Sequence, residues 1–464
     1  MSEVNFDSII TTELARLEAE FYTAKTFDMK NYFIGEDIID FVQYGTSKEL
    51  NEEKVGFPIL RLNEFDSAFI SEPAKYCSLV DSEMFNSLKL FKNDVLICRT
   101  NGNPKYVGKS ALVPQNYEYA YASYLFKIRP KKEMINSSTL VAFLNSKYGR
   151  IEIEKYSIAS NQVNFSPAKF RQLRIPAFSE DLNNFIEELT YQAFEKLEKS
   201  KTTYTAAENI LLSEIGLTNF TPSNEPVNIK TFSESFTTSG RLDAEYYSPK
   251  YEDIEKALTG CVGGYCQIKD AFTQNKSTFK IEEKETYQYV EIGSVNVSTG
   301  EITPLELLGS DLPPNAKRIL RKGDVILSKV RTYRGAAAII DKDGYVGSSA
   351  FTVLRENGKV NKETLLVFLK SKILREYSLK PNTGTSYPVI VDEDVLSFPL
   401  PLIPLAKQSE IAALITQSFS LKKQSEHLLE VAKRAVEIAI EQDEAAAMGW
   451  IVEQTGEQTK AMIA

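Results

Sequence analysis

Residues 16–22 read Arg16-Leu17-Glu18-Ala19-Glu20-Phe21-Tyr22, and 225 positions later (16 to 241) the chain reads Arg241-Leu242-Asp243-Ala244-Glu245-Tyr246-Tyr247. Five of the seven residues are identical, and the other two exchange Glu for Asp and Phe for Tyr. The same offset returns downstream. Leu140-Val141-Ala142-Phe143-Leu144-Asn145-Ser146-Lys147 matches Leu365-Leu366-Val367-Phe368-Leu369-Lys370-Ser371-Lys372, and Ile175-Pro176 matches Leu400-Pro401. Between these anchors the register slips to 230, where Asn93-Asp94-Val95-Leu96 meets Gly323-Asp324-Val325-Ile326, as loops of unequal length require. Two such copies nearly fill the 464 residues. Two long units predict a pseudo-two-fold internal repeat and not a solenoid of many short ones.

Each copy holds the same elements in the same order. Strands are expected at Phe57–Leu62, Val95–Cys98 and Tyr124–Ile128, and again at Tyr289–Ile292, Val325–Leu327 and Ala350–Leu354, from apolar alternation bounded by Gly, Asn and Pro. A short helix follows, over Ser138–Arg150 and Thr364–Arg375. Each copy closes on a long helix. In the second, no Pro or Gly interrupts the chain from Leu405 to Ala447. Ile411, Leu414, Ser418, Leu421, Ser425, Leu428, Ala432, Ala435 and Ala439 recur at alternating steps of three and four, a heptad seam with small residues in it. About 40 residues at about 1.5 Å each make a rod of roughly 60 Å. The first long helix is expected from Ser179 to about Ile215, ended by Gly216, with Ile186, Leu189, Ala193, Leu197, Tyr204, Ala207 and Leu211 as its stripe. Helices about three times the mean length predict an antiparallel coiled-coil pair, close-packed at Ala193, Ser418, Ser425 and Ala432. The fold class is therefore α/β (α+β): two similar domains joined by two long antiparallel helices. The expected boundaries are an N-terminal segment at 1–28, a first domain at 29–178, a first spacer helix at 179–217, a linker and lead-in segment at 218–257, a second domain at 258–404, a second spacer helix at 405–447 and a tail at 448–464.

Composition excludes several functions. Mean hydropathy is −0.25, and no apolar run of about 18 residues exists to span a membrane. Met1–Asp7 lacks the basic and apolar regions of a secretory signal, and four cysteines form no disulfide framework, so a cytoplasmic location is expected. The sole histidine, His427, leaves no His pair for a metal and no Ser-His-Asp set. There is no phosphate-binding G-x-x-x-x-G-K-[ST] loop and no G-x-G-x-x-G. Cys261 and Cys266 have no second Cys pair near them and are expected to be buried free thiols. No catalytic residue and no metal ligand is expected in this chain.

Net charge is −9, from 54 basic and 63 acidic residues, which argues against coating nucleic acid by bulk charge. Basic residues nonetheless cluster at matching places. After the first Asp-Val strand come Arg99, Asn101, Asn103, Lys105, Tyr106 and Lys109. After the second come Lys329, Arg331, Tyr333 and Arg334, preceded by Lys317, Arg318, Arg321 and Lys322. Arg and Asn can make paired hydrogen bonds to guanine and adenine edges, and Lys suits phosphates. Lys105, Lys109, Lys329 and Arg334 are expected on phosphates, and Arg99, Asn101, Arg331 and Tyr333 near base edges. Asp94 and Asp324 are the duplicated acids, each placed just before a strand, where turn chemistry accounts for them.

These residues together resemble the specificity subunit of type I restriction-modification systems. "SGRLDAEYYSP" from Ser239 resembles the family's lead-in to a target recognition domain. "KNDVLICRTNGNPKYVGKSALVP" from Lys92 and "KGDVILSKVRTYRGAAAI" from Lys322 are similar to its Asp-bearing strand and basic turn. "NTGTSYPVIVDEDVLSFPLPLIPLAKQSEIAALI" over Asn382–Ile415 is the most specific stretch, passing into the family's conserved helix. The likeness covers nearly the whole chain. The first copy departs from it: Ile175-Pro176-Ala177-Phe178-Ser179 lacks the second Pro, and Asn183 stands where Gln408 does.

The resemblance implies two target recognition domains, each reading half of a bipartite, asymmetric DNA target, with the helices setting the gap; roughly 60 Å spans about 18 base pairs at 3.4 Å. It implies a non-catalytic subunit in antiphage defence. Two methyltransferase subunits would bring S-adenosylmethionine and methylate adenine, and restriction subunits would use ATP and magnesium. Two other readings stand beside it: a scaffold that pairs partner proteins through its long helices, and a metal-dependent nuclease built on Asp94 and Asp324.

Overall fold

The computed structural model describes residues 25–78, 81–157, 163–297, 299–382 and 387–456. The Arg16–Tyr22 arm of the repeat, and residues 383–386 of the stretch from Asn382, lie outside the described residues. The chain divides into two compact units: residues 1–199 with 421–464, and residues 200–420.

In the first unit, Tyr32–Ile34 pairs antiparallel with Arg174–Pro176, Tyr32 opposite Pro176. In the second, Tyr265–Gln267 pairs antiparallel with Pro399–Pro401, Tyr265 opposite Pro401. The Ile-Pro and Leu-Pro anchors are thus closing strands, and a two-stranded ribbon tolerates prolines because each strand is an edge. Both units then build the same central ladder. Val95–Cys98 lies between Leu125–Pro130 and Ser110–Leu112; Val325–Ser328 lies between Phe351–Glu356 and Ala337–Ile339. All four residues of each central strand are buried, which is why both read as unbroken apolar runs. A second sheet in each unit includes a parallel pair, Phe57–Leu60 with Ala120–Tyr121 and Thr286–Val290 with Tyr345–Ser348.

The helix expected over Ser138–Arg150 is two helices, Ser137–Asn145 and Lys147–Ser157, and that over Thr364–Arg375 is Lys362–Lys370 and Lys372–Tyr377. A serine breaks each. The Ser146 and Ser371 hydroxyls donate to the Phe143 and Phe368 carbonyls, and accept from the Gly149 and Leu374 amides that open the next helix. That local bonding competes with helix continuation. Both repeat helices are N-capped by an asparagine: Asn136 Oδ1 accepts from Thr139 N–H and Asn361 Oδ1 from Thr364 N–H, each at 2.8 Å, which satisfies one orphan donor apiece.

The long helices are Glu180–Glu214 and Leu405–Glu441. The second stops six residues short of the expected Ala447, because Asp443 leaves helical geometry and caps a new helix, Glu444–Thr455, through Ala446 N–H. In the first unit, residues 180–199 and 421–441 run antiparallel: Ser425 Oγ donates to Ala193 O at 2.6 Å and Lys196 Nζ to Gln424 Oε1 at 2.9 Å. Ile186, Leu189, Ala193, Leu197, Leu428 and Ala432 are buried there, while Leu421 is half-buried. In the second unit, residues 200–214 and 405–420 also run antiparallel. Ser418 Oγ donates to Ser200 O at 2.8 Å, and Lys407 approaches Glu214 at 3.8 Å. Ile411 and Ser418 are buried and Leu414 half-buried. The small side chains bring the backbones close enough for a serine on one helix to reach a carbonyl on the other. His427 is exposed.

The departure at Asn183 is compensated. Gln408 accepts from Asn361 N–H (3.0 Å), its carbonyl accepts from Asn361 Nδ2 (2.9 Å), and its own amide donates to Ile403 O. Asn183 takes two of these roles: its carbonyl accepts from Asn136 Nδ2 (2.7 Å), and its amide donates to Phe178 O and Ser179 O. The first long helix therefore starts in the same way, without the glutamine.

Candidate nucleic-acid interface

The aspartate before each central strand anchors the turn that enters the strand, and the candidate turn leaves the strand at its other end. Asp94 and Asp324 are fully buried. Asp94 accepts from Phe91 N–H (2.9 Å) and pairs with Arg129 (2.8 Å) and Lys127 (3.7 Å). Asp324 accepts from Arg321 N–H (3.0 Å) and Asn275 Nδ2 (3.1 Å) and pairs with Arg355 (2.8 Å). Burial pushes the Lys127 ammonium below the ordinary lysine range, against the pull of Asp94. The residues preceding them, Asn93 and Gly323, have φ of 71° and 88°, a turn that Asn and Gly adopt at least cost. Both carboxylates are consumed by structural bonds, which leaves neither facing solvent as a metal-dependent nuclease would need.

Above this frame the two turns start alike. Arg99 N–H donates to Tyr124 O and its carbonyl accepts from Phe165 N–H; Lys329 N–H donates to Ala350 O and its carbonyl accepts from Ile390 N–H. Isolated bridges Thr100–Asn164 and Val330–Val389 follow. Arg99 and Lys329 are therefore equivalent positions, and their side chains differ. The Arg99 guanidinium lies 5.3 Å from the ring centre of Tyr44, and its Nε is buried without a partner among the described residues. Lys329 makes an ion pair with Asp392 at 3.0 Å, and Arg318 approaches the same carboxylate at 3.9 Å. Burial would raise the Asp392 carboxyl, but hydrogen bonds from Thr352 and Lys329 hold it below the usual range.

The rest of the predicted set divides. Asn101 lines a cleft of about 450 Å³ with Thr100, Asn63 and Val163, and its Oδ1 accepts from Asn103 N–H at 2.8 Å. Lys105 is exposed on the same turn. Lys109 instead lines a separate cavity of about 360 Å³ with Glu426 and Glu430 of the long helix, so it is not grouped with Asn101. In the second unit, Arg331 stands at φ 51°, ψ 46°, strained for a residue with a Cβ. Its guanidinium stacks 4.3 Å above the Tyr387 ring, and its Nε is another buried atom with no partner among the described residues. Arg334 is exposed, and Tyr333 is half-buried with its carbonyl taken by Arg375 Nε. Sequence reasoning missed Tyr44, Tyr387 and Asp392. Tyr387 follows Ser386 in a stretch read for its family likeness; only the strand bridge to Val330 brings it to Arg331. Cys261 and Cys266 are buried free thiols, and no helix among the described residues is long and apolar enough to cross a membrane.

Two surfaces, each with a guanidinium on an aromatic ring at the turn beyond the central strand, can present planar donors and a stacking face to a polyanion with flat bases. Residues 255–431 match the family model for the type I restriction modification DNA specificity domain. The chain is 29% identical over 133 residues to the HindI type I restriction enzyme specificity subunit of Haemophilus influenzae, covering 26% of this chain and 29% of that one. It is 31% identical over 90 residues to the EcoKI specificity subunit of Escherichia coli, 19% of each. The matches thus span less than a third of the length of either relative. The crystal structure of a type I restriction-modification S subunit from M. genitalium aligns over 89% of this chain and 96% of that one, at 12% identity and a TM-score of 0.40.

Proposed function

From the premise that residues 255–431 form a type I restriction modification DNA specificity domain, we propose that the whole chain is the sequence-reading subunit of such a system. Each unit reads one half of a split, asymmetric duplex target, and the long helices set the unread gap. The observation that carries the reading is that, on the turn after its Asp-led central strand, each unit sets an arginine against an exposed tyrosine, Arg99 with Tyr44 and, at a position two residues further on, Arg331 with Tyr387. Arg99, Asn101 and Arg331 face base edges, and Lys105 and Arg334 meet phosphates. Lys329, shared with Asp392, shapes the turn before it neutralises DNA.

The chain positions and does not react. Two methyltransferase subunits supply S-adenosylmethionine and the adenine chemistry on a base taken out of the stack, and restriction subunits supply ATP- and magnesium-dependent cleavage. The assembly works on chromosomal and invading DNA, which puts it in the cytoplasm. The test is methylome sequencing of a host carrying the methyltransferase with and without this chain. A split adenine-methylated motif that appears only with the chain supports the reading. An assembled complex that yields no motif and shows no salt-dependent affinity for duplex DNA replaces it with the protein-pairing scaffold.

A further inference from the structure

The best-preserved element of the repeat, Arg241–Tyr247, is bound to the loop that meets the second turn. Arg241 donates from Nη1 to Pro381 O and from Nη2 to Asn382 O, both at 3.0 Å. Asp243 fixes the guanidinium from its other edge, accepting from Nε at 2.8 Å and from Nη2 at 2.5 Å. The ring of Tyr246 lies 4.5 Å from that guanidinium and 5.3 Å from Lys380 Nζ, and Tyr247 Oη donates to Arg241 O. The contacts continue toward the turn. Asn382 Oδ1 accepts from Val389 N–H at 2.9 Å. Val389 bridges Val330, and Pro388 O accepts from Arg331 N–H at 2.7 Å. Arg331 then stacks on Tyr387.

We propose that Arg241 is a positioning residue for sequence reading by the second unit: its grip on the Pro381 and Asn382 carbonyls fixes the loop ends that hold Arg331 in its left-handed conformation against Tyr387. The proposal rests on the reading of that turn as base-contacting. A strained backbone persists only where its surroundings over-determine it, and the two bonds at Val389 and Arg331 are what surround it here. The segment holds the loop to geometry without itself touching DNA, which fits the recurrence of Arg241 as Arg16, with Asp243 and Tyr246 replaced only by Glu18 and Phe21, while the turn residues do not recur.

The experiment compares wild type, Arg241→Ala and Arg241→Lys in the assembled methyltransferase complex, with two readouts. The first is amide hydrogen exchange without DNA. Arg241→Ala is expected to speed exchange at Arg331 and Val389 by about tenfold or more, with Thr364, on the Asn361 cap, unchanged. The second is affinity for duplexes altered in one half-site at a time. Discrimination at the second half-site is expected to fall about tenfold and at the first to stay. Lysine keeps the charge but cannot hold two carbonyls and Asp243 together, so it should not restore discrimination. Unchanged exchange at Arg331 and Val389, or equal loss at both half-sites, overturns the proposal. A wild-type complex without any half-site discrimination sinks the reading of the turn instead, and the exchange data still decide whether Arg241 holds the loop.

Discussion

The turn after Asp94 and the turn after Asp324 stand on one frame and end in different chemistry. The frame is the same in both: a fully buried aspartate, a backbone amide three residues before it, and a partly exposed arginine from the neighbouring strand. Above it, the equivalent cations Arg99 and Lys329 meet an aromatic ring in one unit and a carboxylate in the other. The first tip is shaped by side chains that cap their own backbone, Asn101 to Asn103 and Asn103 to Lys105. The second is shaped by Arg331 held at positive φ by Pro388. Buried charge tolerates little exchange, whereas half-exposed tips can change without unfolding the unit. On the proposed function, a duplicated chain of this kind can keep its fold while its two halves come to read different bases.

The largest test of this contrast lies in the frame itself. Asp94→Ala leaves Lys127, whose side chain is 2% exposed, without its counter-charge, and is expected to cost about 3–5 kcal/mol. Asp324→Ala strands one cation, Arg355, 40% exposed, together with the neutral donors Arg321 N–H and Asn275 Nδ2, and should cost about 1.5–3 kcal/mol, the range for hydrogen bonds to a charged group. Urea unfolding read at Trp450 reports the first unit, and hydrogen exchange at Val325–Ser328 reports the second. Equal losses would break the comparison. A pH arm sharpens it. Lys127 titrates below its unfolded range, so the unfolded chain binds more protons between the two values and stability rises with pH across that window. Loss of Asp94 lowers the folded value further, so Asp94→Ala should regain stability as pH rises into the ordinary lysine range. Asp324→Ala should show no such recovery.

Next in size are the tips. Arg331→Ala and Asn101→Ala should each relax base choice in their own half-site by about 1–3 kcal/mol, with no effect on the other half. Arg331 should cost more, since its guanidinium is already stacked and oriented. Selection from a randomised-duplex library checks this, and relaxation at both half-sites by either variant would contradict independent reading. Asp392→Asn releases Lys329 from its ion pair and should steepen the log-affinity against log-salt slope by about one unit. An unchanged slope would mean that Lys329 never reaches a phosphate.

The frame was legible in the sequence and the tips were not. Burial leaves a period: unbroken apolar strands beside Asp94 and Asp324, a seam of small residues on the long helices, a closing Ile-Pro and Leu-Pro. Those patterns follow from local geometry and repeat at one spacing. Tyr387 reaches its turn beside a strand bridge, Tyr44 from another strand and Asp392 from the start of a helix, at separations that no local pattern encodes. Lys109 shows the converse limit of a local pattern. Its position in a basic run suggested a phosphate contact, but the chain turns at Gly108, with φ 80°, and carries it to the cavity with Glu426 and Glu430. The two serine breaks at Ser146 and Ser371 were hidden for a different reason, since a hydroxyl that caps a new helix looks in sequence like any polar helix residue.

The smallest expected effect asks whether the two helix starts are interchangeable. Gln408 reaches Asn361 N–H through Oε1, while the shorter Asn183 leaves its Oδ1 buried with no partner among the described residues. One methylene separates the two side chains, and both junctions share the asparagine-to-carbonyl bond and the side-chain amide bond to the carbonyl five residues back. Asn183→Gln should therefore supply the missing bond to Asn136 N–H and stabilise the first unit by about 0.5–1.5 kcal/mol, and Gln408→Asn should destabilise the second by a similar amount. Thermal unfolding and exchange at Thr139 and Thr364 read the two junctions separately. Opposite signs would show that the halves differ here only in reach. If Asn183→Gln destabilises instead, the first junction has repacked around the shorter side chain, and the extra methylene costs more than the hydrogen bond returns.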